Sequence, residues 1–218
     1  MQNDISNELE GVIAQMLKPL KGLPLNIVIE GLSDNKVVPF NENDTKDIRV
    51  LEVLKEVAKN VKYNVNLNGI RRTRANEVGN DIEPYVKEAL NAVGYKSDIP
   101  YTCSGHKKST GYPDLEFIDE FDRLNYLECK TFNIKNIDTT QRSFYLSPSE
   151  DFKVTQDAHH FGISFEIIED GREKNKNIYK IHSWKILDLS KLKLDVKYEF
   201  NSDNKRLYSK ELILAEGG

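Results

Sequence analysis

Asp114, Glu128 and Lys130 are the residues whose types and spacing best suit a reaction. They lie in the stretch Gly-Tyr-Pro-Asp-Leu-Glu-Phe-Ile-Asp-Glu-Phe-Asp-Arg-Leu-Asn-Tyr-Leu-Glu-Cys-Lys-Thr-Phe, which begins at Gly111. Two strand-like runs, 114–118 and 124–132, flank an acidic turn. Side chains on a strand alternate between faces. Glu128 and Lys130 therefore share one face, and Cys129 points to the other. Pro113 is tolerated where a strand is entered, because no ladder hydrogen bond is needed from it. A tight hairpin would bring Asp114 near Glu128, giving two carboxylates and one ammonium in a small cluster.

That cluster suits metal-assisted hydrolysis. Two convergent carboxylates bind Mg²⁺, a hard cation that prefers oxygen and keeps several waters. The metal acidifies water and neutralises charge on a phosphate. A neighbouring lysine orients the attacking water or stabilises the charge that builds in the transition state. The bland alternative is a half-exposed hairpin with ordinary surface charges. Glu-x-Lys alone says almost nothing; Pro-Asp followed by Glu-x-Lys across a predicted hairpin says more.

Pro113-Asp114 followed by Glu128-Cys129-Lys130 resembles the PD-(D/E)xK nuclease signature, and most closely its type II restriction endonucleases. The resemblance spans residues 71–165. It implies an α/β, restriction-endonuclease-like core, a central mixed sheet flanked by helices. It implies Asp114 and Glu128 as ligands of Mg²⁺, joined by the main-chain carbonyl of Cys129, with Lys130 placing the water. Gly79-x-x-x-Glu83 is similar to the helix of these nucleases whose glutamate points at the metal. Glu83 is thus a fourth catalytic candidate and Glu77 a substitute for it. The competing explanation for Glu83 is a first-turn acid favoured by the helix dipole.

The elements that must position these residues follow from periodicity. Ile5, Leu9, Val12, Ile13, Met16 and Leu17 mark a helix over 5–17, with Asp4 as its N-cap. Residues 23–29 suit a short strand and 34–43 a loop. Asp44 and Asp47 open a second helix, carried on by Leu51, Leu54, Val57, Ala58 and Val61. Residues 61–70, rich in Asn, read as extended or loop. A third helix is expected over roughly 75–93; Pro84 fits only near a helix start or at a kink, which moves the start to about residue 80 or 81, and Gly94 is its cap. Later strands are expected over 161–168, 178–187 and 194–200, with turns at Asp170-Gly171 and 201–204. His159 and His160 cannot share a strand face, which argues against paired metal ligation; they read as structural, the alternative being that one of them hydrogen-bonds near the cleft.

The 218 residues suit one nuclease domain over 1–218. Its expected parts are a mainly helical portion over 1–70, a catalytic core over 71–168 and C-terminal strands over 169–218. With 30% charged and 39% hydrophobic residues the composition is globular. The net charge of −4 argues against general coating of nucleic acid but leaves room for a basic cleft. Cys103 and Cys129 read as free thiols. No signal-peptide pattern and no apolar run of membrane length is present, so the cytoplasm is expected.

Double-stranded DNA is the expected partner. Candidate contacts are Arg71, Arg72 and Arg74, then Lys107 and Lys108 in a polar loop before the hairpin. Gln141, Arg142, Ser143 and Tyr145 mix donors, a cation and an aromatic ring, types that read base edges. The expected function is a Mg²⁺-dependent type II restriction endonuclease that leaves 5′-phosphate ends. By analogy it is a homodimer that cuts short palindromes. Other readings are a Holliday-junction resolvase or repair nuclease of the same superfamily, or a noncatalytic DNA-binding module.

Overall fold

In the computed structural model, residues 2–16, 18, 20–133, 143–198, 202–207, 209, 211–213 and 215 are described. The chain divides into two compact units, Pro24–Leu192 and a smaller one made of Met1–Leu23 with Lys193–Gly218.

In the smaller unit, helix α1 spans Gln2–Met16, so Asp4 lies inside it rather than capping it. Leu9, Val12 and Ile13 on this helix are exposed. The main chain of Val196 donates to Leu20 O at 2.8 Å. Expected strand 194–200 is largely missing: β9 is only Lys193–Leu194, and residues 195–198 carry no regular structure. Asn204, expected in a turn, opens the short helix α5, Asn204–Leu207. The two-residue strand β1, Leu23–Pro24, lies where the units divide.

The larger unit is α/β. Helix α2 spans Leu25–Ser33, where a strand was expected. A short apolar run is compatible with either, and the fixed φ of Pro24 leads directly into a helix. Strand β2, Val37–Val38, follows. Helix α3 spans Thr45–Asn68, and Asp44 caps it as expected, accepting from Lys46 N. The stretch expected to be extended continues this helix to Asn68 because Val61 and Val65 keep the buried stripe. Asn66 is used at long range, its Oδ1 accepting from Ile181 N at 2.7 Å. Strand β3, Ile70–Arg72, a 3₁₀ turn at Ala75–Glu77 and helix α4, Gly79–Ala92, come next. Pro84 lies in the second turn of α4.

Strands β4 (Lys96–Asp98), β5 (Leu115–Ile118), β6 (Leu124–Phe132), β7 (Ala158–Glu173) and β8 (Lys176–Asp188) complete the unit. The sheet order is β3-β8-β7-β6-β5-β4, with β2 beside β7. β6 and β7 are parallel, whereas β5 and β6 form the expected antiparallel hairpin. This is the mixed sheet expected of a restriction-endonuclease-like core. The long strand β7 passes through Asp170-Gly171 with a register irregularity instead of turning there. The turn comes at 174–175, where Lys174 takes φ +54°.

Helices α3 and α4 bury Leu54, Val57, Ile82, Val86 and Leu90 against the sheet face formed by Leu127, Cys129, Ile163 and Phe165. The opposite face of β6 carries Tyr126, Glu128 and Lys130. Among the described residues no helix is long and apolar enough to cross a membrane.

Candidate active site

Asp114 stands one residue before β5 and reaches across to β6. Its Oδ2 accepts from the main-chain N–H of Cys129 at 2.8 Å. Register places Leu115 opposite Leu127, so Asp114 falls level with Glu128. Glu128 is 4% exposed, and its Oε1 accepts from Lys130 Nζ at 2.5 Å. Its Oε2 is buried without a hydrogen-bond partner. Each carboxylate therefore has one oxygen tied to the protein.

The electrostatics follow from three acids, Asp114, Glu128 and Glu83, around the ammonium groups of Lys130 and Lys153. Burial pushes Glu128 up to about 7, and the nearby charge of Asp114 adds to this, against the pull of Lys130. Burial also raises Glu83, again with help from Asp114. For Lys130, burial alone would lower the pKa, but Glu128 and Asp114 outweigh it and hold the ammonium above its ordinary range. Lys130 is accordingly protonated at neutral pH.

Of the two glutamates near α4, Glu77 is engaged, its Oε1 taking Arg74 Nη2 at 3.0 Å. Glu83 makes no hydrogen bond among the described residues and is close enough to Asp114 to be raised by it. The thiol of Cys129 packs into the core, which leaves only its main chain to face the cluster. Cys103 is also a free thiol.

The structure adds Lys153 and Tyr112, which sequence reasoning did not single out, and sets His160 beside Tyr112. Lys153 is 3% exposed, and its Nζ donates to the carbonyls of Gly111 and Pro113 at 2.7 and 2.8 Å. Burial lowers its pKa although Asp114, Glu128 and Glu83 all pull it upward. Tyr112 Oη and His160 Nδ1 lie 2.6 Å apart, and His160 Nε2 is buried and unpartnered. Burial lowers His160 to about 3 and keeps the imidazole neutral. Tyr112 is visible in the Gly-Tyr-Pro-Asp wording. Nothing local marks Lys153, whose partners lie some forty residues earlier.

His159 is on the other strand face, with Nε2 3.2 Å from Asp47 and Nδ1 3.0 Å from Val38 O. This agrees with two structural histidines that cannot converge.

The candidate DNA contacts are scattered. Arg71 pairs with Glu173 at 2.6 Å, and Arg72 grips both oxygens of Asp81 at 2.7 and 2.6 Å. Arg74 pairs with Glu77, and Lys107 with Asp98. Lys108 is exposed and makes no ion pair among the described residues. Ser143 and Tyr145 are exposed, while Gln141 and Arg142 lie outside the described residues.

Residues 19–211 match the Type II restriction enzyme MjaV family. Among curated proteins, the Type II restriction enzyme MjaV of Methanocaldococcus jannaschii is 39% identical over 224 residues, covering 96% of this chain and 95% of that one. The chain belongs to the MjaV family of type II restriction enzymes. MjaV-family membership places it in the enzyme class of site-specific deoxyribonucleases, which the Pro-Asp and Glu-x-Lys pattern had suggested. No solved structure matches the chain.

The fit of a divalent cation is judged on the donors. Among the described residues no group of three or more His, Cys, Asp or Glu side chains is gathered to hold a metal. Mg²⁺ asks for less: one or two carboxylates, with waters and substrate phosphates completing the shell. The unpartnered Oε2 of Glu128, buried beside Asp114, fits that demand.

Proposed function

We propose that the protein is a Mg²⁺-dependent endonuclease of the PD-(D/E)xK kind. It cuts double-stranded DNA at a defined sequence and leaves 5′-phosphate and 3′-hydroxyl ends. The observation that carries the reading is Glu128: a buried carboxylate, half neutralised by Lys130, with its second oxygen unpartnered. A buried acid so placed is costly unless a cation completes it.

Asp114 and Glu128 would hold the metal, Glu128 through its unpartnered Oε2. In an extended strand a residue's N–H and C=O point to the same edge. The N–H of Cys129 points at Asp114, which supports its carbonyl as a further ligand. Mg²⁺ bound there supplies Lewis-acid charge that acidifies water and offsets the charge building on the phosphate. Lys130, kept protonated, donates hydrogen bonds, so it orients the water and stabilises the crowded phosphate rather than taking a proton. Glu83 stands at the edge of the cluster, where it can accept a hydrogen bond from a coordinated water. Hydrolysis by attack of water on phosphorus, with the 3′-oxygen leaving, yields the stated ends.

DNA contact is assigned to Lys108, to the arginines at 71, 72 and 74, to Lys107 and to the segment containing Gln141, Arg142, Ser143 and Tyr145. The exposed Leu9, Val12 and Ile13 support a homodimer, because an apolar helical stripe left in water favours a second copy. Incubation of plasmid DNA with Mg²⁺ tests the function. Discrete bands that vanish in EDTA, with ends that religate without kinase treatment, are expected. Binding without cleavage, or cleavage of four-way junctions alone, would overturn it.

A further inference from the structure

We infer that Lys153 is a positioning residue for Asp114, clamping the two carbonyls that precede it. The inference rests on the metal-site reading above.

Lys153 comes from the segment before β7, and its ammonium is out of water at 3% exposure. It donates to Gly111 O at 2.7 Å and to Pro113 O at 2.8 Å. A peptide unit is planar, so the Pro113 carbonyl and the Asp114 nitrogen move together. Fixing Pro113 O therefore fixes the plane that ends at the Asp114 Cα. Gly111 O anchors the same segment two peptides earlier. Between them, the Tyr112 hydroxyl is held 2.6 Å from His160 Nδ1. Three points thus hold residues 111–113, and Asp114 takes the Cys129 N–H from a fixed base.

The two carbonyls are neutral, and the nearby carboxylates of Asp114, Glu128 and Glu83 offset only part of the cost of burying the ammonium. An apolar side chain of similar length would fill the space at lower cost. The position makes sense where the ends of the donated hydrogen bonds matter, as they do one residue before a metal ligand. Metal geometry tolerates little: carboxylate oxygens must sit near 2.0–2.1 Å from Mg²⁺.

The charge of Lys153 and its geometry act on metal affinity with opposite sign. An ammonium near a cation site repels the cation, so its removal alone would tighten metal binding. Loss of the clamp loosens Asp114 and weakens metal binding. The sign of the change separates the two roles.

The experiment measures Mn²⁺ affinity of the full-length protein without DNA, by the paramagnetic resonance signal of free Mn²⁺, alongside the Mg²⁺ dependence of plasmid cleavage. Lys153→Met is expected to raise the Mn²⁺ Kd about tenfold or more and to shift half-maximal cleavage to higher Mg²⁺ by a similar factor. Val154→Ala, a cavity in the neighbouring core residue, is expected to lower thermal stability without moving Mn²⁺ affinity. Glu128→Gln is expected to lose Mn²⁺ binding. Wild-type or tighter Mn²⁺ binding by folded Lys153→Met overturns the clamp, and a deficit in Glu128→Gln in the same series leaves the metal site standing. If Glu128→Gln also binds as wild type, the metal-site reading falls and the clamp with it. If circular dichroism shows Lys153→Met unfolded, Lys153→Gln is measured instead; weakened binding supports the clamp and wild-type binding overturns it.

Discussion

Asp114 and Cys129 are tied by one hydrogen bond, the main-chain N–H of Cys129 donating to Asp114 Oδ2 at 2.8 Å. That bond sets an aspartate at the mouth of β5 against the middle of β6. It also ties one carboxylate oxygen of Asp114 to the backbone of β6. The remaining half of the site is Glu128, tied in the same one-sided way to Lys130.

The metal-free protein should carry a pH signature of Glu128. Burial, with the charge of Asp114, raises this group to about 7 from an ordinary 4.5. Between those values the folded state binds more protons than the unfolded one. Its contribution to stability therefore falls as pH rises through that window. Melting in EDTA from pH 5 to pH 8 should show wild type losing stability relative to Glu128→Gln. Mn²⁺ affinity should rise over the same range, by about tenfold per pH unit below 7, because the metal displaces a proton. A constant gap between wild type and variant would contradict the assignment.

The salt dependence of DNA binding should separate the basic candidates. Arg72 already holds both oxygens of Asp81. To meet a phosphate it must give up that pair, so its net release of counterions is small. Lys108 has no such pair among the described residues. Lys108→Ala should reduce the slope of log affinity against log salt by about one unit. Arg72→Ala should reduce it less. Equal losses from both would show that the Asp81 pair opens on DNA.

The hairpin and the face each of its residues takes were legible in the sequence because period-two alternation fixes faces. Glu128 and Lys130 had to share one, and Cys129 had to enter the core. Capping was equally legible at Asp44, whose side chain accepts from the backbone it precedes. Segments decided by distant partners were not. The Asn-rich stretch after Val61 looks unfit for a helix, yet Asn66 bonds both main-chain groups of Ile181 on a strand far away in sequence. Asp170-Gly171 looks like a turn, but pairing with β8 carries the strand through it. Lys153 was illegible for the same reason, since both its partners are main-chain carbonyls that any residue types could supply.

Self-association should depend on α1. Leu9, Val12 and Ile13 are 57%, 54% and 44% exposed and lie at helical spacing. Sedimentation velocity at micromolar concentration should give a dimer for wild type. Val12→Asp should give a monomer, since a carboxylate cannot be buried unpaired in an apolar interface. A monomeric wild type, with and without DNA, would remove the homodimer from the account.

The most direct measurement pairs a cleavage assay in Mg²⁺ with a mobility shift in Ca²⁺ for wild type and Asp114→Ala, on protein shown to be folded. On the proposed reading Asp114 holds the metal and touches no base, so its loss would remove the charge that lowers the barrier. Even ~4 kcal/mol of lost metal-centred stabilisation is about a thousandfold in rate. Site-specific binding should persist, because a carboxylate facing a phosphate repels it when no cation lies between. The account expects cleavage below detection with retained specific binding. Near wild-type cutting by Asp114→Ala would contradict it.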